Sequence, residues 1–430
     1  MTIRSTAVGA AAVAAVAAAL AAALAAALAP HPIARASAHP AARWSATWAS
    51  AMQPPVTGNP ATGPNWSGGF SDQTVRQVIR VSAGGRQVRV RLSNLYGTKP
   101  LQVTGATIAR TRDGATAEPG TVRSLTFHGA RSATIPAGRI AASDPAALPV
   151  APLESLTITL FFAGSTGPST FHEDGLTTGY RADGDHRFDT GAAAFANETS
   201  HSFYYLTGVD VTGGQTRSTV VTFGDSITNG HNSTVGGNDR YSDALAGRLI
   251  LAHRPLAVAN SGISGNLLLH QLACFGEKGV TRFQRDALGQ PGVRTVVFLE
   301  GTNDIWDSEG NFGACGQTPR ITAGQLIAGY QTLIAAAHAR GVRIIGATII
   351  PFKAPYMSPA GFQRAEAIRE QVNRWIRTSG AFDAVADFAK AVADPADPTE
   401  LNPACNSGDF LHPNDAGYRR IAATINLNGL

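Results

Sequence analysis

The pattern of hydrophobic residues changes near residue 213, and this change constrains the fold more than any other feature of the chain. Before it, segments such as Gln87–Ser93 and Leu156–Phe162 alternate polar and apolar residues. A period of two is typical of half-buried β-strands, and glycine and proline pairs that favour turns separate these segments. Residues 44–212 are therefore predicted to form an all-β domain, either a sandwich or a jelly roll.

After residue 213, short apolar runs alternate with stretches of helical period. Strands are predicted at Thr219–Phe223, Leu256–Ala259, Thr295–Leu299 and Arg343–Ile350. Helices are predicted at Tyr241–His253, Gly279–Leu288, Ala323–Arg340, Gly361–Arg377 and Asp415–Ile425. Alternating strands and helices form a parallel sheet covered on both faces, and ligands bind at the carboxyl ends of its strands. Residues 213–430 are thus predicted to be an α/β domain whose site residues follow the strands.

The N-terminal residues 1–38 have the composition of a secretory signal peptide. Arg4 precedes an uncharged run of alanine, leucine and valine, and Ala36-Ser37-Ala38 offers a small-residue cleavage site. We expect cleavage near Ala38 and secretion from a bacterium, since the chain is rich in alanine and in arginine over lysine. The alternative is an uncleaved membrane anchor, because the run is nearly long enough to span a bilayer. No later segment has that length, so no stable membrane insertion is expected after cleavage.

Composition and charge exclude some kinds of partner. Hydrophobic residues make up 44% of the chain and charged residues 15%, a balance that is typical of packed globular proteins. The formal net charge is +5 and no basic cluster is present, so nucleic acid is not an expected partner. The sequence does not fix the oligomeric state, and a monomer is the simplest expectation.

The chain has three cysteines, Cys274, Cys315 and Cys405. In an exported protein this number indicates one disulfide bond and one remaining thiol. Three pairings are open, and the sequence does not choose among them. The spacing does not match a zinc site, and no cysteine lies in a strand-to-helix turn, so neither a metal site nor a cysteine nucleophile is expected.

A serine follows the first strand of the α/β domain, in the sequence Gly224-Asp225-Ser226. A serine hydroxyl is a weak nucleophile unless a base takes its proton. Asp409 and His412, three residues apart before the last helix, supply a carboxylate and an imidazole. At this spacing the carboxylate can bind one ring nitrogen and leave the other facing the serine. Each piece alone is common in turns and helix caps, but together they predict a catalytic triad.

Two further strand ends carry candidate donors for an oxyanion, which acyl transfer requires. Gly265 ends the segment Asn260–Gly265, where the absence of a side chain lets a backbone N–H approach a substrate closely. Asn303, in the segment Gly301–Asp304, can donate through its side-chain amide. The other histidines, His231 among them, lack a comparable acidic neighbour and are interpreted as structural.

These four blocks, in the order serine, glycine, asparagine and Asp-x-x-His, resemble the SGNH (GDSL-type) hydrolase superfamily. The resemblance covers residues 216–430. It implies a flavodoxin-like three-layer α/β/α domain and ester hydrolysis through an acyl-enzyme, without a metal or a cofactor. The G-x-S-x-G motif of α/β-hydrolases is absent, because Thr228 stands at its last position.

The resemblance also implies the role of each site residue. Ser226 is expected to be the nucleophile, His412 the general base and Asp409 the group that orients it. The oxyanion hole is expected to consist of the backbone N–H of Ser226 together with Gly265 and Asn303.

The β-rich half resembles a jelly-roll-like module that precedes the catalytic domain in a bacterial subgroup of secreted esterases. Some members of that subgroup look like xylan or other carbohydrate esterases. The module is expected either to bind polysaccharide or only to cap the catalytic domain. His172 and Glu173, in a loop after a strand, are not expected to reach the active site.

By this resemblance the substrate is expected to be a small-molecule or polysaccharide ester, and the enzyme is expected to be an acetylesterase acting on carbohydrate esters. One alternative is a lipolytic enzyme for longer acyl chains, with Leu267–Leu272 as an apolar lid, although this segment fits the start of a buried helix better. The alternative from another class is a carbohydrate-binding protein with an inactive hydrolase-like domain. Such a domain usually lacks a catalytic residue, and none is missing here.

Overall fold

The computed structural model describes residues 43–56, 65–309, 316 and 318–430. Arg43–Leu430 form one compact unit. The expected signal peptide, residues 1–38, lies outside the described residues. Within the described ranges, no helix has the length and hydrophobicity needed to cross a lipid bilayer.

The region before residue 213 is β-rich, as predicted. Its strands are β1 Ser45–Ala49, β2 Gln73–Arg80, β3 Gln87–Ser93, β4 Leu101–Val103, β5 Gly105–Asp113, β6 Thr116–Ala117, β7 Arg123–Ser124, β8 Ala133–Ile135, β9 Ile140–Ala142, β10 Ser155–Phe162, β11 Phe171–His172, β12 Gly179–Asp183, β13 Glu198–Ser200, β14 Phe203–Tyr204 and β15 Leu206–Thr212. Most of them belong to two antiparallel sheets, in the orders β1-β15-β3-β9 and β13-β12-β2-β10-β5-β6. Both sheets contribute to one hydrophobic core, for example through Val90, Ile158 and Val209, as in a sandwich.

Strand β3 has the predicted bounds, whereas β10 is buried more completely than its alternation indicates. Thr157 and Thr159, on the face predicted to be exposed, are both buried. The hydroxyl of Thr157 lies 2.8 Å from that of Thr111, and Thr159 accepts from Nε of Arg76 at 3.2 Å. Arg76 is also buried and donates to the carbonyl of Ala115. These hydrogen bonds satisfy the buried polar groups, so the second face of β10 can be buried as well as the first.

The second half of the chain is an α/β domain, as predicted. Its elements are β16 Ser218–Gly224, α1 Ser226–Asn229, α2 Tyr241–Leu251, β17 Leu256–Gly262, α3 Gly279–Asp286, β18 Val293–Leu299, α4 Thr302–Asp307, α5 Ala323–His338, β19 Arg343–Ala347, α6 Pro359–Thr378, β20 Ala384–Ala386, α7 Phe388–Val392 and α8 Asp415–Thr424. The sheet is parallel, in the order β17-β16-β18-β19-β20. This is the flavodoxin-like order, which places a ligand crevice at the ends of β16 and β18, where the chain changes direction across the sheet.

Neighbouring residues of the central strands belong to different hydrophobic cores. Val221 and Val296 pack in the core that α3, α5 and α6 cover, whereas Val220 and Val297 pack in the core that α2 and α8 cover. Side chains of a strand alternate between its faces, so both faces of this sheet are buried. The three-layer arrangement follows from these near-continuous apolar strands.

Some element bounds differ from the sequence-based ones. Strand β19 ends at Ala347 and not at Ile350. Helix α6 begins at Pro359, two residues early, because Ser358 caps it by accepting from the N–H of Gly361 at 3.1 Å. Strand β20 and the short helices α1, α4 and α7 had no prediction, since they are too short for a periodic pattern.

Ser82 connects the β-rich region with the edge strand of the parallel sheet. Its Oγ lies 2.7 Å from the carbonyl oxygen of Thr47 in β1 and 2.7 Å from that of Val258 in β17. The N–H of Val258 donates to the same hydroxyl at 2.8 Å. The backbone N–H and carbonyl groups of Val258, on the outer edge of β17, are therefore hydrogen-bonded by the β-rich region. The division into domains 44–212 and 213–430 remains a proposal.

Cys405 is a buried free cysteine, and Cys315 lies outside the described residues. A disulfide bond therefore remains a prediction. Because Cys405 is free, Cys274 with Cys315 is the pairing that we propose among the three open ones.

We expect Ser82→Ala to lower the free energy of unfolding by about 1–3 kcal/mol, since Val258 then has a buried N–H without its acceptor. Urea denaturation followed by circular dichroism measures this change. Ser132→Ala is the matched control, because Ser132 is exposed in the same region, and its effect should stay within about 0.5 kcal/mol. Equal stabilities for both variants would contradict the proposed connection.

Candidate active site

Ser226 lies at the carboxyl end of β16, as its position in the sequence predicts. Strand β16 ends at Gly224, and α1 begins at Ser226 itself. The carboxylate of Asp225 caps this helix by accepting from the N–H of Ile227 at 3.0 Å. The sharp change from strand to helix leaves the Ser226 side chain at the edge of the sheet, where ligand crevices form in this kind of fold.

The structure brings Ser226, His412 and Asp409 into one chain of hydrogen bonds. Oγ of Ser226 lies 2.8 Å from Nε2 of His412, and Nδ1 of His412 lies 2.6 Å from Oδ2 of Asp409. The other carboxylate oxygen of Asp409 accepts from the N–H groups of Leu411 and His412, at 2.9 and 2.8 Å. Asn232 donates to Oδ2 at 2.8 Å. The carboxylate is thus fixed at both oxygens before it orients the imidazole.

Burial and charge set the protonation of this pair. Burial lowers the pKa of His412, the bond to Asp409 opposes this change, and the nearby His231 lowers the pKa further. For Asp409, burial opposes ionisation, but its hydrogen bonds with His412 and the backbone hold its pKa far below the usual range. A neutral imidazole next to a carboxylate is the state that a general base requires.

Gly265 and Asn303 line the same cavity as Ser226 and His412. Gly265 has φ +75°, and a Cβ there would lie 2.2 Å from the ring of Phe275, so only glycine fits. Asn303 stands in α4 and donates one amide proton to the carbonyl oxygen of Asn266 at 2.8 Å. This bond fixes the orientation of the amide and leaves its second proton for another acceptor.

The cavity measures about 190 Å³. Its wall consists of Glu173, Asp174, Ser226, His231, Ser264, Gly265, Phe275, Asn303, Leu411 and His412. All four blocks found in the sequence therefore contribute to it. In the described part of the chain, no group of three or more histidine, cysteine, aspartate or glutamate residues could hold a metal ion.

The sequence analysis missed four residues of the cavity, namely Glu173, Asp174, His231 and Phe275. Glu173 and Asp174 come from the β-rich region, so the expectation that Glu173 does not reach the site is wrong, whereas His172 does not line the cavity. His172 lies behind the wall, buried, with its Nε2 2.9 Å from Oδ1 of Asn229. His231, interpreted as structural, bonds through Nδ1 to Oδ2 of Asp174 at 2.7 Å. No spacing signal connects Asp174 with His231, because they are distant in the chain and meet only in the fold.

The segment Leu267–Leu272 is neither a lid nor the start of a helix. Leu267, Leu268 and Leu272 are buried, and Leu268 belongs to a core of the α/β domain. The carboxylate of Asp304 accepts from the N–H of Leu268 at 2.7 Å and from the N–H of Leu269 at 2.9 Å. These two hydrogen bonds fix the backbone of the segment, which is an irregular loop.

The comparisons with known proteins concern the second half of the chain. Residues 222–420 match the model of the GDSL-like lipase/acylhydrolase family. The chain carries a GDSL-like lipase/acylhydrolase domain. This part of the molecule is therefore an ester hydrolase domain, and the expected SGNH (GDSL-type) resemblance is confirmed. A search of curated proteins found no match.

Several solved structures are similar to the GDSL-like domain. A putative lipolytic protein of the G-D-S-L family from Desulfitobacterium hafniense has 17% identity, with 48% of this chain and 97% of that chain covered and a TM-score of 0.36. A GDSL-like lipase from Bacteroides thetaiotaomicron has 17% identity, with 48% and 85% covered and a TM-score of 0.35. An acetylxylan esterase mutant from Geobacillus stearothermophilus has 19% identity, with 49% and 92% covered and a TM-score of 0.36. At these TM-scores the likenesses carry no conclusion about substrate.

Arg282 of α3 forms hydrogen bonds with the strand ends that carry the site of the GDSL-like domain. Its guanidinium is fully buried and donates to the carbonyl oxygens of Gly224 and Ser261, both at 2.8 Å. It also donates to Oδ1 of Asn266 at 2.7 Å and to Oε1 of Glu300 at 3.0 Å. These acceptors lie at or just after the ends of β16, β17 and β18, so one side chain bonds to all three strand ends. No motif pointed to Arg282, because its two backbone and two side-chain acceptors come from separate segments of the chain.

Two acidic side chains, Asp225 and Asp304, are buried below the site. Burial raises the pKa of Asp225 to about 7, although its bond from Ile227 and the nearby Arg282 lower it. Burial likewise raises the pKa of Asp304 to about 6, against its bonds from Leu268 and Leu269. Both carboxyl groups accept hydrogen bonds from backbone N–H groups of the GDSL-like domain, and neither of them lines the cavity.

We expect Arg282→Met to lower the free energy of unfolding by about 3–5 kcal/mol, because it leaves Glu300 buried without its partner. Arg419→Met is the matched control, since the Arg419 side chain is 58% exposed in its ion pair with Asp239. Its cost should stay below about 1 kcal/mol. Urea denaturation measures both, and a cost for Arg282→Met as small as that of the control would contradict the buried network.

Proposed function

We propose that the chain is a serine esterase in which Ser226 is the nucleophile, His412 the general base and Asp409 the orienting carboxylate. The observation that carries the proposal is the unbroken series of hydrogen bonds from Ser226 Oγ through His412 to Asp409, at 2.8 and 2.6 Å, on the wall of a cavity. A serine, an imidazole and a carboxylate in this order perform acyl transfer on several unrelated folds.

In the proposed first step, Nε2 of His412 takes the proton of the Ser226 hydroxyl while Oγ attacks the ester carbonyl carbon. The carbonyl oxygen becomes an oxyanion, and we assign its donors to the N–H groups of Ser226 and Gly265 and to the second amide proton of Asn303. Preorganised donors of this kind lower the barrier because they need no reorientation as charge develops.

The tetrahedral intermediate then breaks down in the proposed second step. The bond to the alcohol oxygen breaks, His412 returns its proton to that oxygen, and the acyl group stays on Ser226. A water molecule, deprotonated by His412, attacks the acyl-enzyme and releases the acid. The Ser226 hydroxyl is regenerated with the proton that His412 held, so no cofactor is consumed.

We further propose that the substrates are short-chain esters, in particular acetyl esters of carbohydrates. A cavity of about 190 Å³ is smaller than the roughly 300–1,000 Å³ of drug-sized ligand sites, which favours a small acyl group. Phe275 and Leu411 supply its apolar surface, and Glu173, Asp174 and His231 supply hydrogen-bonding groups suited to hydroxyls. The buried Leu267–Leu272 loop speaks against a lid for long acyl chains.

The remaining parts of the proposal concern location and the β-rich region. We propose that a signal peptide is cleaved near Ala38 and that the bacterial enzyme is secreted, from the N-terminal composition alone. The β-rich region would act as part of the substrate site rather than as a separate polysaccharide-binding module, because two of its residues line the cavity.

We expect Ser226→Ala to lower kcat on para-nitrophenyl acetate by roughly a million-fold, the scale seen when a serine nucleophile is removed. Steady-state assays of the purified chain measure kcat, and circular dichroism checks that the fold is unchanged. Ser132→Ala should keep wild-type activity. Turnover by Ser226→Ala at the wild-type rate would refute the mechanism, and an inactive wild-type chain would favour a binding protein with an inactive domain.

We expect kcat/KM on para-nitrophenyl esters to be highest for acetate and to fall by about tenfold or more at octanoate. Overfilling a packed cavity costs about 1–3 kcal/mol, which corresponds to this ratio. Initial rates on a series from acetate to palmitate measure the preference. A maximum at eight or more acyl carbons would contradict the acetylesterase and support the lipolytic alternative.

A further inference from the structure

A second histidine–carboxylate pair lies beside Ser226 and His412. The Nδ1 atom of His231 lies 2.7 Å from Oδ2 of Asp174. The corresponding distance between His412 and Asp409 is 2.6 Å. The two imidazole rings meet edge to face, with their centroids 4.6 Å apart. The same arrangement of carboxylate and imidazole therefore occurs twice on one cavity.

Both members of the second pair are held in place by the protein itself. Oδ2 of Asp174 also accepts from Oγ of Ser264 at 2.7 Å. The N–H of His231 donates to the carbonyl oxygen of Ser226 at 3.0 Å, and the hydroxyl of Tyr418 donates to the carbonyl oxygen of His231 at 2.6 Å. The imidazole is thus fixed relative to the proposed nucleophile through both its ring and its backbone.

The remaining ring nitrogen of His231 is available to a ligand. Among the residues that the structure describes, Nε2 of His231 has no hydrogen-bond partner, and the side chain is 23% exposed on the cavity wall. Burial lowers the pKa of His231, but the carboxylates of Asp174, Asp409 and Glu173 outweigh this and raise it. When Nδ1–H is bound to Asp174, Nε2 is left for a hydroxyl that enters the cavity, as an acceptor in the neutral ring and as a donor in the protonated one.

We propose that the Asp174–His231 pair binds the alcohol part of the ester, through a hydrogen bond between Nε2 of His231 and a hydroxyl group of that part. The inference rests on the proposed function, in which His412 exchanges the proton with Ser226. His231 is then a specificity-determining residue that selects polyhydroxylated alcohols, such as sugars, over alcohols without hydroxyl groups.

This assignment gives the β-rich region a defined part in substrate recognition. Asp174 follows β11 in that region, whereas His231 follows the α1 helix that begins with Ser226. The pair forms only when the two regions pack together, so the alcohol site exists only in the assembled chain.

The test compares two acetates that share the acyl group and differ in the alcohol. Para-nitrophenyl acetate has an alcohol part without hydroxyl groups, and a monoacetylated methyl xyloside has a sugar. His231→Ala and Asp174→Asn should lower kcat/KM on both, but more on the xyloside. The ratio of the kcat/KM on the xyloside to that on para-nitrophenyl acetate should fall by about tenfold, as expected for the loss of one hydrogen bond. His338→Gln is the matched control, because His338 pairs with Asp383 at 3.0 Å and is 46% exposed on α5.

Each outcome decides the inference. A fall of the ratio in both variants, with the ratio of His338→Gln unchanged, supports it. Equal losses on both acetates, or no loss, overturn it, because a merely structural role of His231 affects both substrates alike. A wild-type chain that hydrolyses para-nitrophenyl acetate but no sugar acetate also overturns it, together with the carbohydrate substrate class. The serine mechanism would survive that result, since Ser226→Ala tests it separately.

Discussion

The fully buried guanidinium of Arg282 is the contact on which the geometry of the site depends. Three strands of a parallel sheet end at the site, and each end leaves carbonyl oxygens that the ladder does not satisfy. Arg282 donates to the carbonyls of Gly224 and Ser261 and to the side chains of Asn266 and Glu300. A buried cation is costly unless it is paired and fully bonded, and this network provides both conditions. This one side chain therefore connects the segments that carry the serine, the glycine and the asparagine.

The β-rich region forms hydrogen bonds with the α/β domain in two places. At the edge of the parallel sheet, Ser82 bonds to the backbone of Val258 in β17, where an unpaired strand edge would otherwise face outward. At the site, Asp174 bonds to His231 and Ser264. Both contacts are polar and specific, so they fix the relative position of the two regions more strictly than apolar packing alone does. The cavity is built from both regions, and the first contributes two acidic residues, Glu173 and Asp174, to its wall.

The α/β half was predictable because its signals are local. The apolar runs of β16, β17 and β18 are long enough to be recognised, and parallel strands buried on both faces contain few polar residues. The residues that follow these strands were recognised for the same reason, because the end of a parallel strand faces the ligand crevice. Asp409 and His412 were found together since three residues separate them. In contrast, β20 and the helices α1, α4 and α7 are too short to produce a period, and β10 was judged half-buried because the burial of Arg76 against it is a tertiary event.

The sequence by itself determined the fold class of both halves, the change between them near residue 213, and the four blocks that meet at the cavity. These features follow from side-chain periodicity and from the position of residues relative to strand ends, which are properties of short segments. Only the tertiary structure decided that Glu173 and Asp174 belong to the cavity, that His231 bonds to Asp174, and that Leu267–Leu272 is a buried loop. These contacts join residues with no common period or spacing, and they exist because the burial of two hydrophobic cores brings distant segments together.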